Sequence, residues 1–158
     1  DFLKGIIACS LTHIILGQLG IGDAYMFVLY TGLGVVLGHN FPFYMQFKGG
    51  KGIAASGGMI VGLWDWRLVV ILLAAFVISV VITRYVSVGS LTIMIGFFIL
   101  YTVFAIHGDY NFTSNAKMIE GIIMAGIIAG MAVIRHWQNI KRLIAGTENK
   151  LSFGSKKA

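Results

Sequence analysis

Charged residues are scarce in this sequence. Asp, Glu, Lys and Arg make up only 11% of its 158 residues, whereas 58% are hydrophobic. A soluble domain carries about 25% charged residues, and a chain of this size cannot hide so much apolar surface inside a water-soluble globule. Intrinsic disorder is excluded for the opposite reason, because disordered chains are poor in apolar residues. The composition therefore predicts a small all-α, polytopic membrane protein.

Cysteine and proline are nearly absent, with one residue of each. A single cysteine, Cys9, excludes a disulfide framework and any multi-cysteine metal site, and we predict neither a metal nor a cofactor. The net charge is +6, but the basic residues are scattered around apolar blocks instead of forming a stripe. We therefore expect no nucleic-acid partner, and membrane topology explains these charges better.

Six apolar blocks approach the ~20 residues that a transmembrane helix requires. They are Phe2–Gly20, Ala24–Gly38, Ile53–Trp64, Leu68–Thr83, Val86–Ile106 and Ile119–Ile134. The third block is short and rich in small residues, and by length alone it could also be a re-entrant segment. Glycine pairs four residues apart predict close helix packing; they are Gly34/Gly38, Gly58/Gly62 and Gly126/Gly130.

The distribution of basic residues decides the topology. If all six blocks cross the membrane, ten Lys and Arg residues lie on one side and two, Arg67 and Lys117, on the other. If the third block does not cross, the tally becomes seven against five. The positive-inside rule therefore favours six crossings with both ends of the chain in the cytoplasm. No linker divides the chain, and we expect a single integral-membrane domain over residues 1–158.

Residues 38–52 form a polar segment on the cytoplasmic side of this topology. The segment ends in a Lys48-Gly-Gly-Lys51-Gly run that leads into an apolar block. Glycines allow successive N–H groups to converge on an anion, and the N-terminus of the following helix adds partial positive charge. The run is not a Walker A loop, because no Ser or Thr follows Lys51. It indicates either a phosphate cradle or a glycine-rich turn with two topology-setting lysines.

Residues 135–148 form a second polar segment on the same side, predicted to be helical up to a stop at Gly146. His136, Asn139 and Arg142 recur every third residue along one broad polar face. A histidine, an amide and a guanidinium so arranged could hold a phosphate or an oxyanion. The alternative is an interfacial basic helix that binds anionic lipid and nothing more.

The residues of these segments are recognisable as motifs. Gly38-His39-Asn40-Phe41-Pro42 running into Phe47-Lys48-Gly49-Gly50-Lys51-Gly52 resembles the second signature of the bacterial acyl-phosphate:glycerol-3-phosphate acyltransferases. Arg135-His136-Trp137-Gln138-Asn139-Ile140, followed by Arg142-Leu143 and Gly146-Thr147-Glu148, resembles the third. The turn Arg84-Tyr85-Val86-Ser87-Val88-Gly89-Ser90 is similar to a serine-rich turn of those enzymes, and residues 1–5 resemble the opening of their second helix.

The family has seven transmembrane helices and a first signature between its first two helices, to which nothing in this chain corresponds. The resemblance therefore implies that the chain is the body of such an enzyme without its first helix and first motif, with seven helices in the complete protein. If those residues are absent from the molecule itself, we expect no activity.

The resemblance implies an enzyme of the bacterial cytoplasmic membrane whose motif loops and C-terminus face the cytoplasm. It would move a fatty acyl group from a long-chain acyl-phosphate to the sn-1 hydroxyl of glycerol-3-phosphate, giving lysophosphatidic acid and phosphate. Membrane lipids would be its other partners. The catalytic residues would be His136, Asn139 and His39, and Glu148 would be structural. The substrate-binding residues would be Gly38, Asn40, Lys48, Gly49, Gly50, Lys51, Gly52, Arg84, Ser87, Ser90 and Arg142. A small non-enzymatic transporter, or a lipid- or phosphate-binding protein, is the competing class.

Overall fold

The computed structural model describes residues 1–152, and every regular element within them is helical. The helices are α1 (Phe2–Gln18), α2 (Ala24–Asn40), α3 (Ile53–Gly62), α4 (Trp66–Thr83), α5 (Val86–Ile106), α6 (Asn115–Arg135) and α7 (Trp137–Ile144). A 3₁₀ turn over Phe43–Met45 lies between α2 and α3. The predicted all-α class is therefore confirmed for this part of the chain.

The first six helices run alternately up and down, so several of their ends meet in one place. The start of α1 lies beside the end of α2, with Asp1 Oδ1 3.1 Å from His39 Nδ1. The starts of α3 and α5 and the end of α6 meet at the same place, where Ile53, Val86 and His136 line one cleft. We refer to this as the cleft end of the bundle.

The other helix ends are tied together by two aspartates. Asp23, just before α2, accepts hydrogen bonds from the backbone N–H (2.8 Å) and hydroxyl (2.6 Å) of Thr113, just before α6. Asp65 caps α4 by accepting from the Arg67 backbone N–H at 3.0 Å, and it also accepts from Tyr110 Oη at 3.2 Å. Burial raises the pKa of Asp65, but the hydrogen bonds from Arg67 outweigh burial and hold that pKa below its usual range. The α5–α6 loop is thereby fastened to two other connections.

Close helix approach depends on glycine in only one of the three predicted pairs. A Cβ on Gly58 would lie 2.1 Å from the Phe2 carbonyl oxygen, and one on Gly62 would lie 2.5 Å from Cys9 Cβ, so α1 and α3 are in backbone contact. Gly34 and Gly38 have open space instead, because they face away from neighbouring helices. The core lies between the helices and includes Met59, Phe97, Tyr101 and Ile128.

Among residues 1–152, four helical segments are long and apolar enough to cross a membrane: Ala24–Met45, Trp66–Thr83, Val86–Ile106 and Asn115–Arg135. The apolar helices α1 and α3 are shorter, with 17 and 10 residues. At 1.5 Å per residue α3 is about 15 Å long, half the ~30 Å thickness of a hydrocarbon core. Six crossings therefore remain a prediction.

The predicted block bounds differ from the helix bounds mainly at polar ends. The fifth block coincides with α5, whereas α6 begins at Asn115, four residues before the predicted Ile119. The Ser114 hydroxyl accepts a hydrogen bond from the Lys117 backbone N–H and caps this extra turn. Hydropathy alone misses such turns because their side chains are polar.

Candidate anion-binding active site

The cleft end contains a cavity of about 790 Å³. It lies between the starts of α3 and α5, the α6–α7 junction and the chain that follows α7. Its polar lining residues are Asp1, His39, Lys51, Ser87, Ser90, His136, Asn139, Glu148, Asn149, Lys150 and Ser152, and Phe76, Val86 and Leu151 contribute apolar surface. The cleft therefore combines groups of both charges with apolar walls.

Residues 48–52, here called the glycine loop, supply Lys51 and Gly52 to the cleft wall, and the loop is packed so tightly at Gly49 and Gly50 that it requires glycine there. A Cβ on Gly49 would lie 2.1 Å from the His39 carbonyl oxygen, and one on Gly50 would lie 2.1 Å from His39 Nε2. Gly52 has φ +81°, in the left-handed region that glycine adopts without strain. The chain turns at this residue directly into α3.

Arg135, at the end of α6, holds the glycine loop from behind. Its Nη2 donates to the carbonyl oxygens of Gly49 (2.9 Å) and Gly50 (2.7 Å), and its Nε donates to Gly50 at 3.1 Å. Because the N–H of a trans peptide points opposite to its carbonyl, the Lys51 N–H points away from Arg135. The first N–H groups of α3 follow, and Gly52 and Ile53 line the cleft. The unpaired N–H groups of a helix start attract anions.

Lys51 is joined to the other polar segment by a chain of hydrogen bonds centred on Glu148. Lys51 Nζ donates to Asn139 Oδ1 at 2.5 Å, and Asn139 Nδ2 donates to Glu148 Oε1 at 2.7 Å. Ser87 Oγ donates to the same carboxylate oxygen at 2.9 Å, and Arg142 Nε donates to Oε2 at 2.7 Å. The carboxylate therefore fixes which end of the Asn139 amide faces Lys51.

The pKa values of Glu148 and Lys51 in this network are both lowered, which favours the charged form of the carboxyl group and disfavours the charged form of the amine. The hydrogen bond from Asn139, assisted by those from Arg142 and Ser87, outweighs burial and lowers the pKa of Glu148 to about 2. Burial lowers the pKa of Lys51, although the Glu148 charge opposes this effect. Glu148 is thus firmly ionised, while the Lys51 ammonium is partly desolvated and suited to receive an anion.

His136 lies at the junction of α6 and α7 and is 2% exposed. Its Nδ1 lies 2.8 Å from the Ala132 carbonyl oxygen, and a carbonyl oxygen accepts only from a nitrogen that carries a proton. Nε2 is then the nitrogen left for the cleft, which His136 lines. Burial lowers the pKa of His136 and outweighs the hydrogen bond to Ala132, which raises that pKa. The neutral imidazole with a free lone pair on Nε2 is therefore favoured.

Residues 1–146 match the sequence model of the protein family described as glycerol-3-phosphate acyltransferase. This chain belongs to that family. The glycerol-3-phosphate acyltransferase of Thermoanaerobacter sp. (strain X514) is 38% identical over 151 residues, 96% of this chain and 67% of the relative. The one from Chlorobaculum parvum is 34% identical over 137 residues, 80% of this chain and 59% of the relative.

The fold agrees with the family. A crystal structure of PlsY, an integral membrane glycerol 3-phosphate acyltransferase, in its glycerol 3-phosphate form superimposes with a TM-score of 0.76 at 31% identity. The likeness covers 96% of this chain and 68% of that chain. The helical bundle described here is therefore the fold of an integral membrane acyltransferase. The chain spans 67% and 59% of the lengths of the two relatives named above.

Eight of the residues that the motifs suggested for this acyltransferase family lie together in the cleft lining. They are His39, Lys51, Gly52, Ser87, Ser90, His136, Asn139 and Glu148. Three others support the lining from behind. The carbonyl oxygens of Gly49 and Gly50 accept hydrogen bonds from Arg135. The fully buried Asn40 packs against Gly52, where an added Cβ would lie 2.7 Å from Asn40 Oδ1. Residues of the second and third motifs thus line one cleft.

Four suggested substrate-binding residues are not brought to the cleft lining. Gly38 and Lys48 are exposed, on α2 and in the glycine loop respectively. Arg84 ends α4 with φ +63°, and its carbonyl oxygen accepts from the Leu151 N–H at 2.7 Å. The Arg142 guanidinium pairs with Glu148. Arg84 and Arg142 thus shape the cleft indirectly, the first by fastening the chain after α7.

Sequence reasoning missed several residues of the site. The sequence places Arg135 in the third motif without indicating its role, since its partners are the backbone carbonyls of Gly50 and Gly49, 85 and 86 positions away. Asp1 lines the cleft and contacts both Lys4 (2.8 Å) and His39 (3.1 Å). Phe76 carries no sequence signal, because an aromatic residue within an apolar helix is typical of packing.

Proposed function

We propose that this chain forms the active site of an acyltransferase that uses acyl-phosphate as its donor. The acyl group would pass to the sn-1 hydroxyl of glycerol-3-phosphate, giving lysophosphatidic acid and inorganic phosphate, as in phospholipid biosynthesis. The donor and the position of acylation follow from the motif resemblance. The hydrogen bond between Lys51 and Asn139 carries the proposal, because it joins the two motifs in one anion-attracting cleft.

Lys51 and the start of α3 would bind the phosphate of glycerol-3-phosphate. A phosphate dianion at this position raises the Lys51 pKa again and so binds best to the protonated amine. Ser87 and Ser90, on the facing wall, would turn their hydroxyls away from Glu148 Oε1 and the Val86 carbonyl oxygen, to which they donate in the free protein, and would donate to the phosphoryl group of the donor. Two anions held side by side would place the hydroxyl and the acyl carbon in attack geometry, which supplies much of the acceleration in such reactions.

An acyl-phosphate is an activated mixed anhydride, so a covalent enzyme intermediate is not required. The hydroxyl oxygen would form a bond to the acyl carbon while the bond from that carbon to the phosphate oxygen breaks, with the electron pair leaving on phosphate. We propose that His136 Nε2 accepts the hydroxyl proton, since a neutral imidazole is suited to this task near pH 7. Asn139 would orient the acceptor hydroxyl or the carbonyl through its fixed amide.

We further propose that the chain crosses a bacterial inner membrane six times and that the cleft end faces the cytoplasm. The charge distribution supports this orientation: of the ten basic residues that the structure describes, only Arg67 and Lys117 belong to the end opposite the cleft. Glycerol-3-phosphate is soluble and anionic, whereas the donor has a lipid tail. A cleft at the inner interface would be accessible to both.

The test is a direct assay of the purified full-length protein in detergent, with palmitoyl phosphate and radiolabelled glycerol-3-phosphate. We expect lysophosphatidic acid and phosphate to form in equal amounts, and a His136→Asn variant to form much less. Turnover with palmitoyl-coenzyme A but not with palmitoyl phosphate would contradict the proposed donor. Uptake of glycerol-3-phosphate into vesicles without acyl transfer would contradict the enzyme and favour a transporter.

A further inference from the structure

A cluster of large apolar side chains stands exposed at the cleft end. Residues 41–47, here called the aromatic loop, connect α2 to the glycine loop and include the 3₁₀ turn. Phe43, Tyr44 and Phe47 are 79%, 73% and 64% exposed, and the rings of the first two pack edge to face at 5.5 Å. Contiguous exposed apolar surface of this kind marks a site of interaction with another protein or a membrane.

The backbone of the aromatic loop is a compact turn that holds these rings outward. The carbonyl oxygen of the buried Pro42 accepts from the N–H of Met45 (3.1 Å) and of Phe47 (3.0 Å). Gln46 and Phe47 have φ of +53° and +60°, in the left-handed region that residues other than glycine rarely adopt. Strained backbone persists where the surroundings fix it, so the outward direction of the rings is built into the turn.

Positive charge accompanies the aromatic rings at this end. Lys48 follows the loop directly and is exposed. On α7, Trp137 is 55% exposed, and Lys141 Nζ lies 5.3 Å from the centroid of its ring. Tyr and Trp, here Tyr44 and Trp137, are enriched at the headgroup level of membranes, and lysines beside them are attracted to anionic lipid. The chemistry of this surface fits a bilayer interface better than a protein partner.

We propose that the aromatic loop inserts into the headgroup region of a bilayer that contains anionic lipid, and that it anchors the glycine loop at that depth. Arg135 makes the connection, because its guanidinium lies 5.3 Å from the centroid of the Phe41 ring while it holds the Gly49 and Gly50 carbonyls. The cleft mouth would thus sit where a soluble anion and a lipid-anchored one can both enter. The anchor does not depend on the acyl-transfer reaction.

Depth measurement by electron paramagnetic resonance tests the anchor directly. Cys9 is the only cysteine, so a Cys9→Ala background accepts one nitroxide label at Phe43→Cys or, independently, at Tyr44→Cys. Matched controls are Ile95→Cys, on the exposed apolar surface of α5, and His107→Cys, at the exposed start of the α5–α6 loop. The protein is reconstituted in vesicles of phosphatidylethanolamine and phosphatidylglycerol, and label relaxation by oxygen and by a polar nickel chelate is compared.

We expect both loop labels to report a depth between those of the two controls, and a shallower depth in vesicles of phosphatidylcholine alone. Labels as accessible to the nickel chelate as the one at position 107 would place the loop in water and overturn the proposal. Labels shielded from both reagents would indicate cover by protein, such as a second copy, and would also overturn it. Equal depth in the two lipid mixtures would refute the role of anionic lipid.

Discussion

Lys51 Nζ and Asn139 Oδ1 are joined by a hydrogen bond of 2.5 Å although 88 positions separate the two residues in the chain. Lys51 belongs to the glycine loop before α3 and Asn139 to α7, so this contact closes the cleft from two sides. Glu148 receives the other end of the same amide. An arriving phosphate would therefore meet an ammonium whose position is already fixed.

Replacing His136 should affect the chemical step more than binding. For His136→Asn we expect kcat to fall about 10²–10⁴-fold, the usual contribution of a general base, with little change in the KM of glycerol-3-phosphate. Burial lowers the His136 pKa in the free protein, so the acid limb that His136 contributes to the wild-type kcat/KM profile, which reports the free enzyme, should lie below the ordinary histidine value of 6.5. Steady-state kinetics against pH measure both effects.

His107 provides the control for this substitution, since it is exposed at the opposite end of the bundle. His107→Asn should leave kcat unchanged. Near-normal kcat in His136→Asn with saturating substrates would show that another group, such as a phosphate oxygen of a substrate, takes the proton.

Removing Arg135 should weaken binding of glycerol-3-phosphate without disturbing the donor. Arg135 makes three hydrogen bonds to two glycine-loop carbonyls, and hydrogen bonds to charged groups are worth about 1.5–3 kcal/mol each. In Arg135→Gln we expect the KM of glycerol-3-phosphate to rise about tenfold or more, while the KM of acyl-phosphate stays near the wild-type value. Lysine should not rescue, because it lacks the planar fork.

Arg84 supplies the matched control variant for this prediction, because it is also an arginine but its side chain is exposed and does not line the cleft. Arg84→Gln should leave both KM values near those of the wild type. If Arg135→Gln raised both KM values equally and lowered Tm by many degrees, Arg135 would be a general structural residue and not a positioning residue of the anion site.

Glu148 should stabilise the protein only while it is ionised. Its pKa in the folded chain is about 2, against an ordinary value of 4.5, so its contribution is complete above about pH 4.5 and is lost as the pH falls toward 2. The Tm difference between wild type and Glu148→Gln should therefore be constant above that pH and shrink below it. A difference that grew on acidification would contradict the hydrogen-bonded carboxylate.

The sequence allowed the helices to be predicted well where hydrophobicity alone determines them. The Val86–Ile106 block coincides with α5 because apolar side chains run to both of its ends. The polar first turn of α6 and the short α3 were less predictable, since the first depends on the Ser114 cap and the second on backbone contact between Gly58 and α1.

The motifs identified most residues of the cleft lining, but they did not show which residues within each motif line the cleft and which lie outside it. Lys48 and Lys51 are equivalent in the sequence pattern, yet only Lys51 lines the cleft. Lys48 directly follows the left-handed residues Gln46 and Phe47 and is exposed, and neither residue type predicts that backbone conformation. The role of Arg135 was equally unpredictable, because its hydrogen-bond acceptors are backbone carbonyls and a pattern of side chains does not indicate them.

Calorimetric titration of glycerol-3-phosphate into wild type, Lys51→Met and Lys48→Met tests the central claim most directly, namely that the two motifs build one anion site around Lys51. Loss of a charged hydrogen-bond donor costs about 1.5–3 kcal/mol, which is about a 10–150-fold change in Kd. We predict a rise in Kd of this size for Lys51→Met and a Kd within about twofold of wild type for Lys48→Met, whose side chain is exposed away from the cleft lining. Equal Kd values for the two variants would contradict the account.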